Sequence, residues 1–313
     1  MTVRWGFLGA GWIAQRAMAP AVHAAGNARL QAAASRDASR TAALEPRSAH
    51  ASYEAVIADP GVDAVYVSLA NHQHEEWAVR ALAAGKHVLC EKPLAVTAEQ
   101  AGRMARAARA ADRLLVEAVW CRWHPRYRRL VDLAASGALG ELVSIDSGFT
   151  FPGDINGSYR ARPELGGGAL LDVGGYQVQG WVAMTDGASS PHVTHVQRSL
   201  AGSGIDLTTK VAASIGSGRA TAVCSFVMPE HQYLVVTGTD AVARMGEGAA
   251  FTTWREPSTL VVADREEAFA PVDAYQLMVE AVSDRIDGGP GWCVPIEDTL
   301  AVAGIVDAIA AHS

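Results

Sequence analysis

MTVRWGFLGAGWIA, residues 1–14, decides the fold. Arg4–Leu8 reads as a short apolar strand, and Gly9-Ala10-Gly11-Trp12-Ile13-Ala14 follows as a GxGxxA turn that opens a helix. In such a turn Gly9 permits the tight reversal and Gly11 lets the backbone approach a pyrophosphate. Ala14 keeps helix and strand close, and the N–H groups at the helix start face the anion. Alone, the string is compatible with a plain tight turn. Between a strand and a helix, with Trp12 and Ile13 in the same turn, it points to dinucleotide binding.

Outward from this turn, short apolar runs alternate with helix-period segments. Helices are expected over Trp12–His23, Ala38–Leu44, Tyr53–Ala58, His74–Ala84 and Ala98–Ala111. Strands are expected over Arg29–Ala34, Ala64–Leu69, His87–Cys90 and Leu114–Glu117. Strands alternating with helices imply a parallel sheet with right-handed crossovers. Residues 1–119 are therefore expected to form a doubly wound α/β Rossmann domain that binds a dinucleotide.

The rhythm then changes. After a helix over Pro125–Ser136, strands are expected at Leu142–Phe151, His192–Leu200, Asp206–Ile215, Ala220–Met228, Tyr233–Gly238 and Leu260–Val262, joined by turn-length connections. Helices return at Ala274–Ile286 and Ile296–Ala311. Residues 120–313 thus read as an α+β domain with a large, mostly antiparallel open sheet. An open face calls for cover, and a homodimer or homotetramer through this sheet is the expected assembly.

The 313 residues suit two domains, and with half of them hydrophobic and 19% charged there is ample material for a core. A net charge of −7 disfavours a nucleic-acid partner, which needs clustered cations. Cys90, Cys121, Cys224 and Cys293 are scattered without paired spacing, so no metal site is expected. No long uncharged apolar run suggests a membrane span, and the opening residues go straight into strand and turn. A soluble cytoplasmic protein is the expectation.

The end of the second strand bears on which dinucleotide fits. An NAD enzyme places a carboxylate there for the ribose 2′-hydroxyl. Here Ser35-Arg36-Asp37 follows the strand, and a hydroxyl with a guanidinium suits the 2′-phosphate of NADP(H). Asp37, two residues on, is the feature that could serve NAD(H) instead.

Two further stretches carry chemistry. In Gly85-Lys86-His87-Val88-Leu89-Cys90-Glu91-Lys92-Pro93-Leu94, Lys92 falls just past a parallel strand, at the sheet edge where ligands bind. A cis Lys92–Pro93 bond would fix its ammonium. In Leu165–Tyr176, LGGGALLDVGGY, three glycines open a helix that puts Asp172 and Tyr176 on one face at i, i+4 spacing. A phenol is a poor acid or base at its usual pKa near 10, but a nearby ammonium such as Lys92 favours the phenolate. Just upstream, Tyr159, Arg160 and Arg162 could grip an anionic or hydroxyl-rich substrate, or be solvated loop residues.

Together, GFLGAGWIA, SYEAVIADPGVDAVYVSL with Asn71 and His74, GKHVLCEKPLA and ELGGGALLDVGGY resemble the glucose–fructose oxidoreductase, inositol dehydrogenase and rhizopine-catabolism family. The resemblance spans nearly the whole chain. It implies an NAD(P)-dependent oxidoreductase acting on CH–OH groups of a sugar, nucleotide sugar or polyol. Many members carry histidine where this chain has Tyr176, which places it nearest the branch of sugar 3-ketoreductases and dihydrodiol dehydrogenases. By the resemblance Tyr176 exchanges the proton of the reacting oxygen, Lys92 lowers its pKa and helps place the nicotinamide, and Asp172 orients substrate or tyrosine. Leu69, Asn71, His74, Glu91 and Glu117 would lie at the cofactor, and Arg122, Trp123 and His124 at the substrate. Ala70, Gly175, Gln177 and Gln179 depart from the family pattern, which leaves the substrate open. An aldose or trans-dihydrodiol dehydrogenase is the alternative activity, and a non-catalytic dinucleotide sensor the alternative of another class.

Overall fold

The computed structural model describes residues 1–185, 191–245 and 250–312, and the chain divides into two compact units. The first comprises Met1–Ala95, Glu99–Trp123 and Asp273–Ile296. Its strands are β1 (Val3–Leu8), β2 (Ala28–Ala34), β3 (Ser48–Ala49), β4 (Ala64–Val67), β5 (His87–Glu91) and β6 (Leu115–Ala118). All pair in parallel, in the order β3-β2-β1-β4-β5-β6. β4 is Ala-Val-Tyr-Val and buried at every position, the composition of a strand covered on both faces. The order reverses at β1 and β4, which opens a crevice at their carboxyl ends.

The connecting helices are α1 (Ala19–Ala24), α2 (Ala38–Ala42), α3 (Tyr53–Ala58), α4 (His74–Ala83) and α5 (Ala98–Ala111). The single helix expected over Trp12–His23 contains a π turn, Ala14–Met18, in which the Ala19 N–H donates to the Ala14 carbonyl. Pro20 follows at once and can offer no N–H to the carbonyl of Arg16, so an ordinary α ladder is interrupted there. Ser52 caps α3 by accepting from the Ala55 N–H at 3.2 Å.

The second unit comprises Val96–Ala98, His124–Val272 and Glu297–Ser313. It contains α6 (Pro125–Ala135), β7 (Leu142–Thr150), α7 (Gly175–Met184), β8 (His192–Leu200), β9 (Asp206–Ile215), β10 (Gly218–Ser225), β11 (His231–Gly238), β12 (Val242–Met245), β13 (Ser258–Val262) and β14 (Arg265–Phe269). These strands form one sheet in the order β14-β13-β12-β11-β7-β10-β9-β8. β7 and β10 run parallel, and the other neighbours are antiparallel. Alternating burial along β9 and β11 gives the sheet one core face, and α7 packs against β7 and β10.

β12 and β14 were not expected from the sequence. β14 is Arg-Glu-Glu-Ala-Phe, an edge strand whose charges mimic a loop, joined to β13 through Ala263 at φ 51°. Among the described residues, no helix is long and apolar enough to cross a membrane.

The chain does not stay in the second unit after it crosses there at residue 124. α8 (Ala274–Ile286) belongs to the first unit, where it packs on α1 and β2, while α9 (Ile296–Ala311) lies in the second apart from its first residue. One cut after residue 119 therefore misses a helix that the first sheet needs for cover. Its anchor is polar: the fully buried Trp5 donates from Nε1 to Ser283 Oγ at 3.1 Å. Ser283→Ala leaves that indole N–H without its acceptor. It should cost about 1–3 kcal/mol, seen as a lower urea midpoint with an unchanged m-value.

Candidate functional site

In the first unit the glycine turn sits at the carboxyl ends of β1 and β4. Gly9 adopts φ 99°, and a Cβ there would collide with the Ser68 carbonyl, so only glycine fits. Its N–H donates to Ala34 O at 2.9 Å, and the Ser68 N–H donates to Leu8 O, which ties the three strand ends together. Gly11 and Ile13 are half-buried, Ala14 is buried against the strand, and the Trp12 indole is exposed. Leu69 lies within 3.0 Å of the position a Gly9 Cβ would take.

At the end of β2, the Asp37 carboxylate caps α2. It accepts from the Ser39 N–H at 2.9 Å, the Ser39 hydroxyl at 2.6 Å and the Arg40 N–H at 3.2 Å. The Ser39 hydroxyl and these backbone bonds hold its pKa below the usual carboxylate range. Asp37 is thus turned toward its own helix. Ser35 is engaged in the same turn, donating to Asp37 O at 2.6 Å and lying 2.9 Å from Thr41 Oγ1. Its hydroxyl hydrogen has an acceptor already, so Arg36, which is exposed, is the cationic group this corner presents.

Around Lys92 the backbone is held by side chains on both sides. The Lys92–Pro93 bond is cis. Glu91 accepts the Lys92 N–H at 3.2 Å and the Tyr66 hydroxyl at 2.6 Å. Glu117, from the end of β6, accepts the Leu94 N–H at 3.0 Å. The fully buried His74 lies with Nδ1 2.9 Å from Pro93 O and Nε2 3.1 Å from Leu69 O. Burial raises the Glu91 pKa against the opposing Tyr66 hydrogen bond, and burial lowers that of His74 against its two carbonyl partners. His74, Glu91 and Glu117, expected as cofactor ligands, thus place the backbone that carries Lys92. Asn71 is buried in the short 3₁₀ turn before α4.

In the second unit the expected Asp172–Tyr176 pairing lies across the junction of a π turn, Leu170–Gly174, with α7. π turns in a helix recur at functional positions. The glycine run explains the local path. The Gly167 N–H donates to Arg162 O and the Gly168 N–H to Arg160 O, both at 3.0 Å. A Cβ on Gly167 would lie 2.5 Å from the Arg160 carbonyl. Drawn in this way, Arg160 donates from Nε to Asp172 Oδ2 at 2.7 Å, and the Tyr159 hydroxyl lies 3.4 Å from Oδ1. Burial disfavours the Arg160 charge, but Asp172, Tyr159 and Tyr176 hold the guanidinium protonated. Arg160 therefore joins the Asp172–Tyr176 cluster, whereas Arg162 is exposed and pairs with Glu164 at 2.7 Å.

Tyr176 is buried among aromatics, with ring centroids 5.9 Å from Phe149 and 5.8 Å from Phe251. Asp206 holds the start of the π turn by accepting the Leu170 N–H at 2.8 Å and the Thr209 hydroxyl at 2.7 Å. Asp206, Phe149 and Phe251 were not singled out in the sequence. Asp206 lies in a Gly-Ser-Gly-Ile-Asp connection, and no spacing rule links it to a helix 36 residues earlier.

Arg122 and Trp123 are buried in the first unit, against Trp292. The guanidinium lies 5.7 Å from that ring, and the Trp123 indole donates to Trp292 O at 3.0 Å. His124 is the N-cap of α6 in the second unit, its Nδ1 accepting the Arg126 N–H at 3.1 Å. Residues 122–129 are locally basic, with Arg122, Arg126, Arg128 and Arg129. Of these, Arg126 is buried and donates to Ala250 O, and Arg129 pairs with Glu267.

Residues 3–118 match the oxidoreductase family with an NAD-binding Rossmann fold, and residues 127–244 match the GFO/IDH/MocA C-terminal domain. The chain is 34% identical to a D-xylose 1-dehydrogenase (NADP(+)) of Haloferax volcanii, over 97% of this chain and 95% of the relative. The chain belongs to the GFO/IDH/MocA oxidoreductases. Another member, the mouse trans-1,2-dihydrobenzene-1,2-diol dehydrogenase, is 31% identical over 87% of this chain and 81% of its own. Among solved GFO/IDH/MocA structures, the 3-ketoreductase KijD10 from Actinomadura kijaniata, in complex with NADP and TDP-benzene, superposes with a TM-score of 0.88. It is 28% identical and covers 99% of this chain and 97% of its own.

Within this family member His124 resists protonation. Burial and then the Arg126 guanidinium push its pKa down to about 4. An unfolded histidine takes up a proton near pH 6.5, so stability falls as the pH drops from there toward 4. His124→Asn keeps a helix cap without that ring. It should remove up to about 3 kcal/mol of acid-induced loss in this window, measured as a flatter plot of stability against pH than the wild type gives.

Proposed function

We propose that this GFO/IDH/MocA member transfers hydride between NADP(H) and a carbonyl or alcohol carbon of a sugar, nucleotide sugar or related polyol. The observation that carries the reading is the cluster at the start of α7: a buried phenol, Tyr176, with Asp172 on the same helix and the Arg160 cation bonded to that carboxylate. A phenol near a cation gives up its proton more readily than one in water. Tyr176 then returns the proton to the oxygen of a carbonyl being reduced, or takes it from an alcohol being oxidised. Arg160 and Asp172 are ion-paired, so the carboxylate charge is balanced and does not oppose the phenolate. Lys92, a catalytic residue by the family resemblance, has its backbone fixed by Glu91, His74 and Glu117 through residues 92–94.

The first unit fits the cofactor. Only glycine is tolerated at position 9, the strand order opens a crevice beside it, and Asp37, the group that could favour a free 2′-hydroxyl, is drawn away to α2. Residues 9–14 would hold the pyrophosphate and Arg36 the 2′-phosphate; the bound cofactor supplies or accepts the hydride. Relatives support the same reading. The xylose dehydrogenase is named for NADP(+), and KijD10 was solved with NADP. KijD10 has also been solved with a tyrosine changed to phenylalanine and with a lysine changed to alanine or glutamate. That lysine and tyrosine are separated by as many residues as Lys92 and Tyr176.

Two measurements test the proposal. With NADPH and a panel of keto-sugars, and with NADP+ and D-xylose or a trans-dihydrodiol, Tyr176→Phe should lose roughly 10²–10⁴-fold in kcat while NADPH binding is kept. Full activity of that variant would remove Tyr176 as the proton carrier. Arg36→Ala should weaken NADPH binding by about 10-fold or more, the scale of a charge-assisted phosphate bond, and leave NADH unchanged. An unchanged ratio of the two affinities would remove the 2′-phosphate assignment.

A further inference from the structure

Gln15 ties the glycine turn to the helix behind it. Its backbone N–H donates to Gly11 O at 3.1 Å, at the start of the unbroken helical run 12–24. Its side-chain Nε2 donates to Ala10 O at 2.8 Å. One residue thus holds two successive carbonyls of the turn. Gln15 is half-buried and Ala10 is 4% exposed, so water competes little for the second bond. The peptide between Ala10 and Gly11 is trans, which sets its N–H opposite its C=O. A carbonyl held toward Gln15 therefore turns the Gly11 N–H the other way, and among the described residues that N–H has no backbone acceptor. The two glycines of the turn also differ. A Cβ on Gly9 would strike the Ser68 carbonyl, whereas one on Gly11 would meet only the Ser68 hydroxyl, at 4.0 Å. The fold itself has room for a side chain at position 11, so glycine there serves the approach of a ligand at the crevice rather than the path of the chain.

We propose that Gln15 is a positioning residue for the dinucleotide: by holding the Ala10 carbonyl, it aims the Gly11 N–H at the cofactor pyrophosphate. The proposal rests on residues 9–14 holding that group, as read above. One bond has two effects. It keeps the partial negative charge of the Ala10 oxygen turned away from the phosphates. It also fixes the Gly11 donor before the anion arrives, so less freedom is lost on binding. Gln15 carries no charge and acts on the pyrophosphate alone, so its contribution is the same for NADPH and NADH. That separates it from Arg36, which the 2′-phosphate reading makes selective for NADPH.

Gln15→Met keeps the length and helix propensity of the side chain but has no donor. Titration calorimetry of this variant should show NADPH, NADH and ADP-ribose each bound about 3–10-fold more weakly than by the wild type, the scale of one hydrogen bond. Adenosine 2′-monophosphate, which has no pyrophosphate, should bind both proteins alike. Equal weakening of that ligand would make Gln15 a support of the fold only and overturn the proposal, as would unchanged affinity for all four. The amide spectrum gives a second measurement that needs no variant: in ¹⁵N-glycine-labelled wild type, the Gly11 N–H signal must move downfield when ADP-ribose is added. A Gly11 signal that stays in place overturns the proposal. In Gln15→Met the movement should be smaller; the full movement with weakened binding would make Gln15 a direct ligand and overturn it too. Wild type that binds none of the three pyrophosphate ligands removes the cofactor reading and this proposal with it. Wild-type binding with an unchanged variant removes this proposal alone.

Discussion

A carboxylate removed from water needs a cation beside it, and the pair of Arg160 and Asp172 is the constraint around which the second unit's site is arranged. Asp172 is nearly inaccessible, and an isolated ionised carboxyl in such a place would protonate. Arg160 comes from an irregular stretch that has no reason of its own to lie there. Its carbonyl accepts from the Gly168 N–H and that of Arg162 from the Gly167 N–H, and the absence of a side chain on Gly167 lets the backbone of the loop approach. Asp206 fixes the other end of the same turn through the Leu170 N–H. The glycines, the π turn and Asp206 thus serve one result: a guanidinium beside a buried carboxylate, one helical turn from a phenol.

The first unit follows a related logic with other parts. Polar side chains at the carboxyl edge of its sheet point at backbone more than at open space. Glu91, Glu117 and His74 satisfy or engage the N–H and C=O groups of residues 92–94, and Asp37 does the same for the start of α2. Each uses a strong hydrogen-bonding group to fix a segment that regular secondary structure leaves loose. Lys92 and Arg36, the cations beside these segments, project from backbone held in this way.

Much of this was legible in the sequence, and the part that was not has one physical origin. The period of apolar residues gave the alternation of the first unit, and the glycine spacing placed Gly9 and its turn. The i, i+4 spacing put Asp172 and Tyr176 on one face, because local geometry depends only on neighbours along the chain. The bonds by which His74, Glu91 and Glu117 hold residues 92–94 were not foreseen, because a side chain meeting loop backbone, whether next to it or more than twenty residues away, leaves no periodic trace. Arg160 was visible as a charge but not as the partner of Asp172, since the loop that brings it back is shaped by glycine packing. β12 and β14 were missed for a different reason: β12, four residues between β11 and β13, is too short to show an alternation, and β14 is an edge strand whose charges mimic a loop. The resemblance to a family supplied the chemistry of Tyr176 and Lys92, which spacing alone did not.

The return of Asp273–Ile296 to the first unit has a consequence for how the molecule is made. On the ribosome the first six strands emerge early, but the helix that covers β2 and α1 arrives only after the entire second sheet has been synthesised. Until then Trp5 has no Ser283 to donate to, and an apolar surface of the nascent sheet stands open. Domains whose segments are contiguous complete themselves as they emerge. This one must wait, so it depends on its own distant C-terminal third, or on a chaperone in the interval, to finish its oldest part last.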